Sequence, residues 1–139
     1  MVDIFDKKKR SEIMSRIRSK NSVAEKLVFS FLESKNIYFQ KHYSRVAGSP
    51  DVVLPRKRRA VFVDGDFWHG RNFNGKIRGR KAGDYWVEKI KENVKRDKRQ
   101  RSVLRKSGWS VIRIWESDII RKSTQNRQFM KIEKFLKKA

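Results

Sequence analysis

Apolar residues recur along this chain at two spacings, and the changes between them mark out eight elements. In RSEIMSRIRSK, Ile13, Met14 and Ile17 stand at helical spacing opposite basic positions, with Ser11 placed to cap the start. Lys20-Asn21 breaks that pattern. Ser22 and Glu25 then form a capping-box signature for a second helix, with Val23, Leu27, Val28, Phe31 and Leu32 on its buried side and Asn36 at its end. IYFQKHY (37–43) reads as a polar strand. DVVL (51–54) and AVFV (60–63) read as a hairpin across the basic turn PRKRR. Gly70 to Gly83 reads as a flexible loop. Asp84 is placed to cap a long helix ending at Gly108, with Trp86, Ile90, Val94 and Leu104 inward. WSVIRIW (109–115) alternates only in part, which predicts a well-buried strand. Ser123 is placed to cap a last helix with Phe129, Ile132, Phe135 and Leu136 inward.

A helix between the third and fourth strands favours a parallel crossover. The order therefore predicts an α/β fold, a mixed sheet flanked by helices. The chain has 139 residues, the length of a single domain, without internal repeat or linker.

Charge changes the picture more than length does. Thirty-seven Lys and Arg against 15 Asp and Glu give a net charge of +22, which attracts polyanions. Nucleic acid is the first candidate partner and an anionic membrane the second. No apolar run reaches the roughly 18 residues of a membrane span, and DKKKR from Asp6 precludes a signal-peptide core. Without cysteine there are no disulfides and no thiolate zinc ligands. The expected compartment is the cytoplasm.

Candidate chemistry gathers around VFVDGDFWHG (61–70). In an antiparallel hairpin Asp51, at the start of one strand, lies beside Asp64, at the end of the next, with Asp66 one pleat beyond. Adjacent carboxylates repel unless a cation joins them, and hard oxygen ligands suit Mg²⁺. A metal in a basic protein points to phosphodiester hydrolysis; a polar turn is the plainer alternative. Glu25 serves either as helix cap or as a residue facing the same site. His69 can take a proton from an attacking water if a carboxylate such as Asp97 orients it. His42 is read as structural or phosphate-facing. Phe67, Trp68 and Trp86 either cover a core edge or wedge between bases. The long helix is densely basic, which implies salt-sensitive binding to phosphates and is silent on sequence preference.

Five blocks in order, RSEIMSRIRSKNSVAEK, GSPDVVLP, VFVDGDFWHG, YWVEKIKENVKRD and GWSVIRIWE, resemble the very short patch repair (Vsr) endonucleases, which nick DNA beside T:G mismatches. The resemblance covers roughly residues 3–120 and implies a restriction-endonuclease-like fold. It implies that Asp51 is the central Mg²⁺ ligand, assisted by the backbone carbonyl of Val63. It makes His69 the general base, Asp97 its support, and Glu25 a residue reaching the metal through water. It assigns Phe67, Trp68 and Trp86 to insertion into DNA, Lys89 and Asn93 to the mismatched pair, and Met14 to the opposite groove.

Two departures stand out. The family often has His where this chain has Asp64, so Asp64 is a candidate direct metal ligand. The family's structural zinc positions fall at Asp66, Arg71, Phe73 and Ser117, which make no normal zinc site. The loop after His69 must then be held by packing or by DNA, and residues 70–83 are expected to be mobile without DNA. The resulting expectation is a Mg²⁺-dependent endonuclease, monomeric on double-stranded mismatched DNA, leaving a 5′-phosphate. The family also implies a nucleoid setting, mismatch-repair partners and a link to cytosine-5 methylation. The alternatives are a restriction-type or mobile-element nuclease of the same fold acting on unmismatched DNA, and a DNA-binding module without activity.

Overall fold

The computed structural model describes residues 22–66, 69–71 and 85–138. The expected first helix with Met14, the pair Phe67-Trp68, the Asp84 cap and residues 72–83 of the Gly-rich loop lie outside the described residues. The elements are α1 (Val23–Ser34), β1 (Gln40–Lys41), β2 (Val52–Leu54), β3 (Arg59–Asp64), α2 (Tyr85–Lys106), β4 (Ser110–Trp115), α3 (Glu116–Ile120) and α4 (Lys122–Lys137). The strands form one sheet in the order β1-β2-β3-β4. The β1–β2 and β2–β3 pairs are antiparallel, while β3 and β4 run parallel, from Arg59 opposite Ser110 to Asp64 opposite Trp115. This is the mixed, helix-flanked sheet of the restriction-endonuclease-like class.

Strand β3 is buried along its whole length, so it carries apolar residues toward both faces. Val52, Val61, Val63 and Ile114 pack toward α1, α3 and α4, with Val28, Leu32, Ile119, Ile132 and Leu136. Val53, Ala60, Phe62 and Val111 pack on the other face, with Leu104 of α2. We expect Leu32→Ala to lower the unfolding free energy by about 2–5 kcal/mol, because the side chain is fully buried in the larger cluster. A urea midpoint unchanged from the parent would refute that.

The capping box forms as expected. Ser22 Oγ accepts from the Glu25 amide at 3.2 Å, and Glu25 Oε2 accepts from the Ser22 amide at 3.2 Å. The stripe that α1 buries is nevertheless rotated from the expected one. Ala24, Glu25, Val28, Phe29 and Leu32 are inward, Leu27 and Phe31 are partly buried, and Val23 is exposed. The rotation turns a carboxylate into the sheet's end.

Other boundaries shifted for local reasons. The strand read over 37–43 shrinks to Gln40–Lys41, because His42 takes a positive φ of 46° that no extended strand tolerates. Helix α2 ends where Gly108, at φ 90°, reverses the chain. Its inward face carries Asn93 and Asp97, whereas Val94 is only half-buried. Ser123 does not cap the last helix, which starts one residue earlier from Arg121 without a side-chain cap. Instead Thr124 and Gln125 donate to the carbonyls of Asp118 and Ile119, binding α4 to the unforeseen turn α3. Among the described residues no helix is long and apolar enough to cross a membrane.

Candidate active site

A cleft of about 430 Å³ opens where β2 begins and β3 ends, between α1 and α2. Five acidic side chains line it: Glu25, Asp51, Asp64, Asp97 and Glu116. Four of them fall into two groups on either side of the end of β3.

The first group is Glu25, His42 and Asp51, whose ligand atoms lie within 4.8 Å of one another. Asp51 sits where β2 begins, and its Oδ2 accepts from the Val63 amide at 2.7 Å. That bond replaces a ladder contact and leaves Oδ1 facing His42 Nε2 at 3.8 Å. His42 Nε2 also lies 3.2 Å from Glu25 Oε2. The kink at His42 brings this about, since its amide still bonds to the Asp51 carbonyl at 3.1 Å while the ring turns into the cleft. Burial raises the Asp51 carboxyl well above the ordinary range, and Glu25 raises it further by hydrogen bonding and charge; the Val63 amide opposes both.

The second group is Asp64, His69 and Asp97, also within 4.8 Å. His69 Nδ1 hydrogen-bonds Asp97 Oδ2, and its Nε2 lies 3.9 Å from Asp64 Oδ1. Arg113 of β4 completes the group as an ion pair, with Nε 2.8 Å from Asp64 Oδ2 and Nη2 3.5 Å from Asp97 Oδ2. Burial alone would lower the His69 pKa, but the Asp97 hydrogen bond and the charges of Asp64 and Asp97 raise it above 6.5. Burial raises the Asp64 carboxyl against the opposing pull of His69 and Arg113.

Asp51 and Asp64 therefore do not share one close group, as the hairpin argument expected. Asp64 turns toward α2 and Arg113, while Asp51 turns toward α1, although Asp51 still feels the charge of Asp64. Glu116 reaches the same cleft from the end of β4, and burial raises its pKa. Gly65 makes room for it, since a Cβ there would meet Glu116 Oε1 at 2.9 Å.

Of the expected DNA-facing residues, the three that lie among the described residues, Trp86, Lys89 and Asn93, stand along the first turns of α2. Lys89 is partly exposed and pairs with Glu92 at 3.7 Å. Asn93 is buried on the inward stripe. Trp86 is buried with its ring edge-on to Tyr85, so insertion between bases would require it to leave that packing.

His42, Arg113 and Glu116 were not foreseen as site residues. Arg113 does leave a trace, as a charge inside the apolar run VIRIW. The expectation that the loop after His69 rests on packing or DNA is corrected at Arg71, which ion pairs and hydrogen bonds hold. Asp66, Arg71 and Ser117, three of the four positions that the resemblance matched to a structural zinc, join instead in a hydrogen-bonded ion-pair network.

Residues 2–75 match the family model described as DNA mismatch endonuclease Vsr. A type II nicking enzyme, V.NmeAIP of Neisseria meningitidis serogroup A, is 34% identical over 139 residues, spanning 100% of this chain and 99% of that one. This chain belongs to the Vsr family. A second relative, the type II nicking enzyme V.XorIIP of Xanthomonas oryzae pv. oryzae, is 36% identical over 119 residues, covering 86% of this chain and 88% of its own. The DNA mismatch endonuclease Vsr of Escherichia coli K12 is 34% identical over 117 residues, covering 84% and 74%.

The Vsr-family fold and the two acidic–histidine groups make this chain a metal-dependent endonuclease. The residues fit a divalent cation. A buried carboxylate, a partly buried one and an imidazole converge there; burial first and then Glu25 raise the Asp51 pKa, and a cation would offset both.

Proposed function

We propose that this chain nicks one strand of double-stranded DNA at T:G mismatches, using Mg²⁺ and acting as a monomer. One arrangement supports the reading above all. A histidine held by a buried carboxylate faces, across a single cleft, a separate group able to chelate a metal. A module that only binds DNA has no use for that pairing.

Asp51 would hold the cation, with the Val63 carbonyl beside it and Glu25 acting through water. His42 is a further candidate in the same group. When bound, the cation neutralises charge on the phosphate and makes water a stronger acid. Asp97 accepts from His69 Nδ1–H, which fixes the tautomer and leaves Nε2 to take a proton. A water oxygen then bonds to phosphorus in line, the water's proton passes to His69 Nε2, the bond from phosphorus to the 3′-oxygen breaks, and that oxygen takes up a proton from solvent water. The products are a 5′-phosphate and a 3′-hydroxyl. Asp64, paired to Arg113, serves here as a charge beside His69, with direct ligation as the alternative role. Phe67, Trp68 and Trp86 would open the duplex, with Met14 in the opposite groove and Lys89 and Asn93 near the mismatched pair.

The names of two relatives support nicking, and that of a third supports mismatch recognition. The test incubates the protein with matched and T:G duplexes, in Mg²⁺ and in EDTA. The expected result is one nick, in the T:G duplex, only with metal. Equal cutting of both duplexes would reject mismatch recognition in favour of a restriction-type activity, and no cutting of either would reject the enzyme reading.

A further inference from the structure

The segment that carries His69 is closed on itself and then bound to the end of β4. The Arg71 amide donates to the Asp66 carbonyl at 3.0 Å, and the His69 amide donates to the Gly65 carbonyl at 3.1 Å. Both Asp66 oxygens are used: Oδ1 accepts from the Ser117 amide at 3.1 Å, and Oδ2 accepts from Ser117 Oγ at 2.6 Å and Arg71 Nη1 at 3.1 Å. Arg71 Nη1 also lies 2.9 Å from Ser117 Oγ and 3.0 Å from Asp118 Oδ1. The Arg71 guanidinium stands 5.7 Å from the Trp115 ring centre, and that of Arg113 stands 4.6 Å from the same ring. Arg113 in turn pairs with Asp64 and Asp97.

We infer that Asp66, Arg71, Ser117 and Asp118 form a metal-free clasp whose task is to position His69. Asp66 and Arg71 bracket the histidine in sequence, three residues before it and two after. Both are tied to the turn that follows β4, and β4 also supplies Arg113 to the partners of His69. The imidazole is thus aimed from both sides: its backbone by the clasp and its ring by Asp97. All three polar contacts of Arg71 run through Nη1, so a Lys ammonium with its three donors can keep most of them, whereas Met keeps none. Asp66 and Arg71 are positioning residues, and neither touches the reacting atoms in this arrangement.

The inference rests on His69 being the general base, so the test includes a measurement that needs no activity. The chain has two histidines, and ¹⁵N-histidine labelling of metal-free protein resolves the Nδ1–H bound to Asp97, assigned with His42→Gln. In Arg71→Met we expect that proton resonance to broaden or vanish through faster exchange. We expect kcat on the T:G duplex to fall roughly 10- to 100-fold, as for the loss of an orienting contact. DNA affinity should stay within about 3-fold, since a single phosphate contact is not what is lost. Arg71→Lys should restore most of both signals.

A folded Arg71→Met that keeps the resonance and kcat would overturn the inference. So would a fall in kcat with the resonance intact, or a parallel loss of DNA affinity, which would make Arg71 a phosphate contact instead. If Arg71→Met does not fold, Ser117→Ala removes one hydroxyl from the clasp and is judged by the same readouts. If the parent nicks no duplex, the functional reading fails, and the resonance alone still decides the clasp.

Discussion

Asp51→Asn will abolish nicking and, in the absence of metal, raise the melting temperature. Both effects come from one carboxylate. Metal stabilisation of a phosphoryl transition state is worth several kcal/mol, so losing the central ligand should lower kcat by roughly 10³-fold or more. The second effect follows from linkage. The Asp51 carboxyl is raised in the folded chain by burial and by Glu25. Between its ordinary value near 3.8 and the raised one, the folded state holds a proton that the unfolded state has released. Stability therefore falls as pH rises through that window and stays reduced above it. Asparagine removes the charge, keeps an oxygen for the Val63 amide, and removes that loss. A gain of about 1 kcal/mol would raise the midpoint by roughly 4 °C at this size. Thermal melts in EDTA at pH 4 and pH 8 check this, with the two proteins differing more at pH 8. An Asp51→Asn protein that melts below the parent at pH 8 would show that the carboxylate stabilises the fold rather than straining it.

His69→Ala is the second large effect. Loss of a general base removes typically 10²–10⁴ in rate, so kcat should fall by about that factor while mismatched-duplex binding holds. The pH dependence carries more information. A base must be neutral to act, and the folded environment raises the His69 pKa despite burial, through Asp97 and Asp64. Activity is therefore lost as pH falls through the raised value. Asp64→Asn deletes one of the raising charges, and the acid limb of kcat/KM should move to lower pH. The same variant settles the role of Asp64. If the half-saturating Mg²⁺ concentration is unchanged, Asp64 acts on the histidine; if it rises at least about tenfold, as on loss of a ligand, Asp64 holds the metal. An acid limb that stays in place would separate Asp64 from His69 altogether.

The limits of sequence reading can be traced to particular residues. Spacing was enough for the capping box at Ser22, the hairpin around PRKRR and the parallel return through α2, because these are local or rest on a two- or 3.6-residue period. The pairing of His69 with Asp97 was also legible, since a histidine just past a strand end needs an orienting carboxylate and α2 offers one. Period alone misplaced the buried stripe of α1. Apolarity favours Val23, Leu27 and Phe31, while the structure turns Glu25 inward to serve the cleft. On α2 the polar residues Asn93 and Asp97 occupy positions that a core helix would fill with apolar ones, and that mismatch was itself a signal for a site. His42 gave no such signal, because its role depends on a positive φ that only the packed chain enforces. Arg113 lies on β4 and Glu116 at the start of α3, far in sequence from the residues they meet.

By itself, then, the sequence determined the α/β class, the polyanion partner and the chemical types available near VFVDGDFWHG, since these follow from composition and local period. The tertiary structure decided which carboxylate stands beside which partner. Parallel pairing of β3 with β4 puts Arg113 against Asp64 and Asp97, and carries Ser117 to Asp66 and Arg71. These contacts span some 16 to 51 positions of the chain. Only the closing of the sheet brings such groups together, and no pattern along the chain can encode that distance.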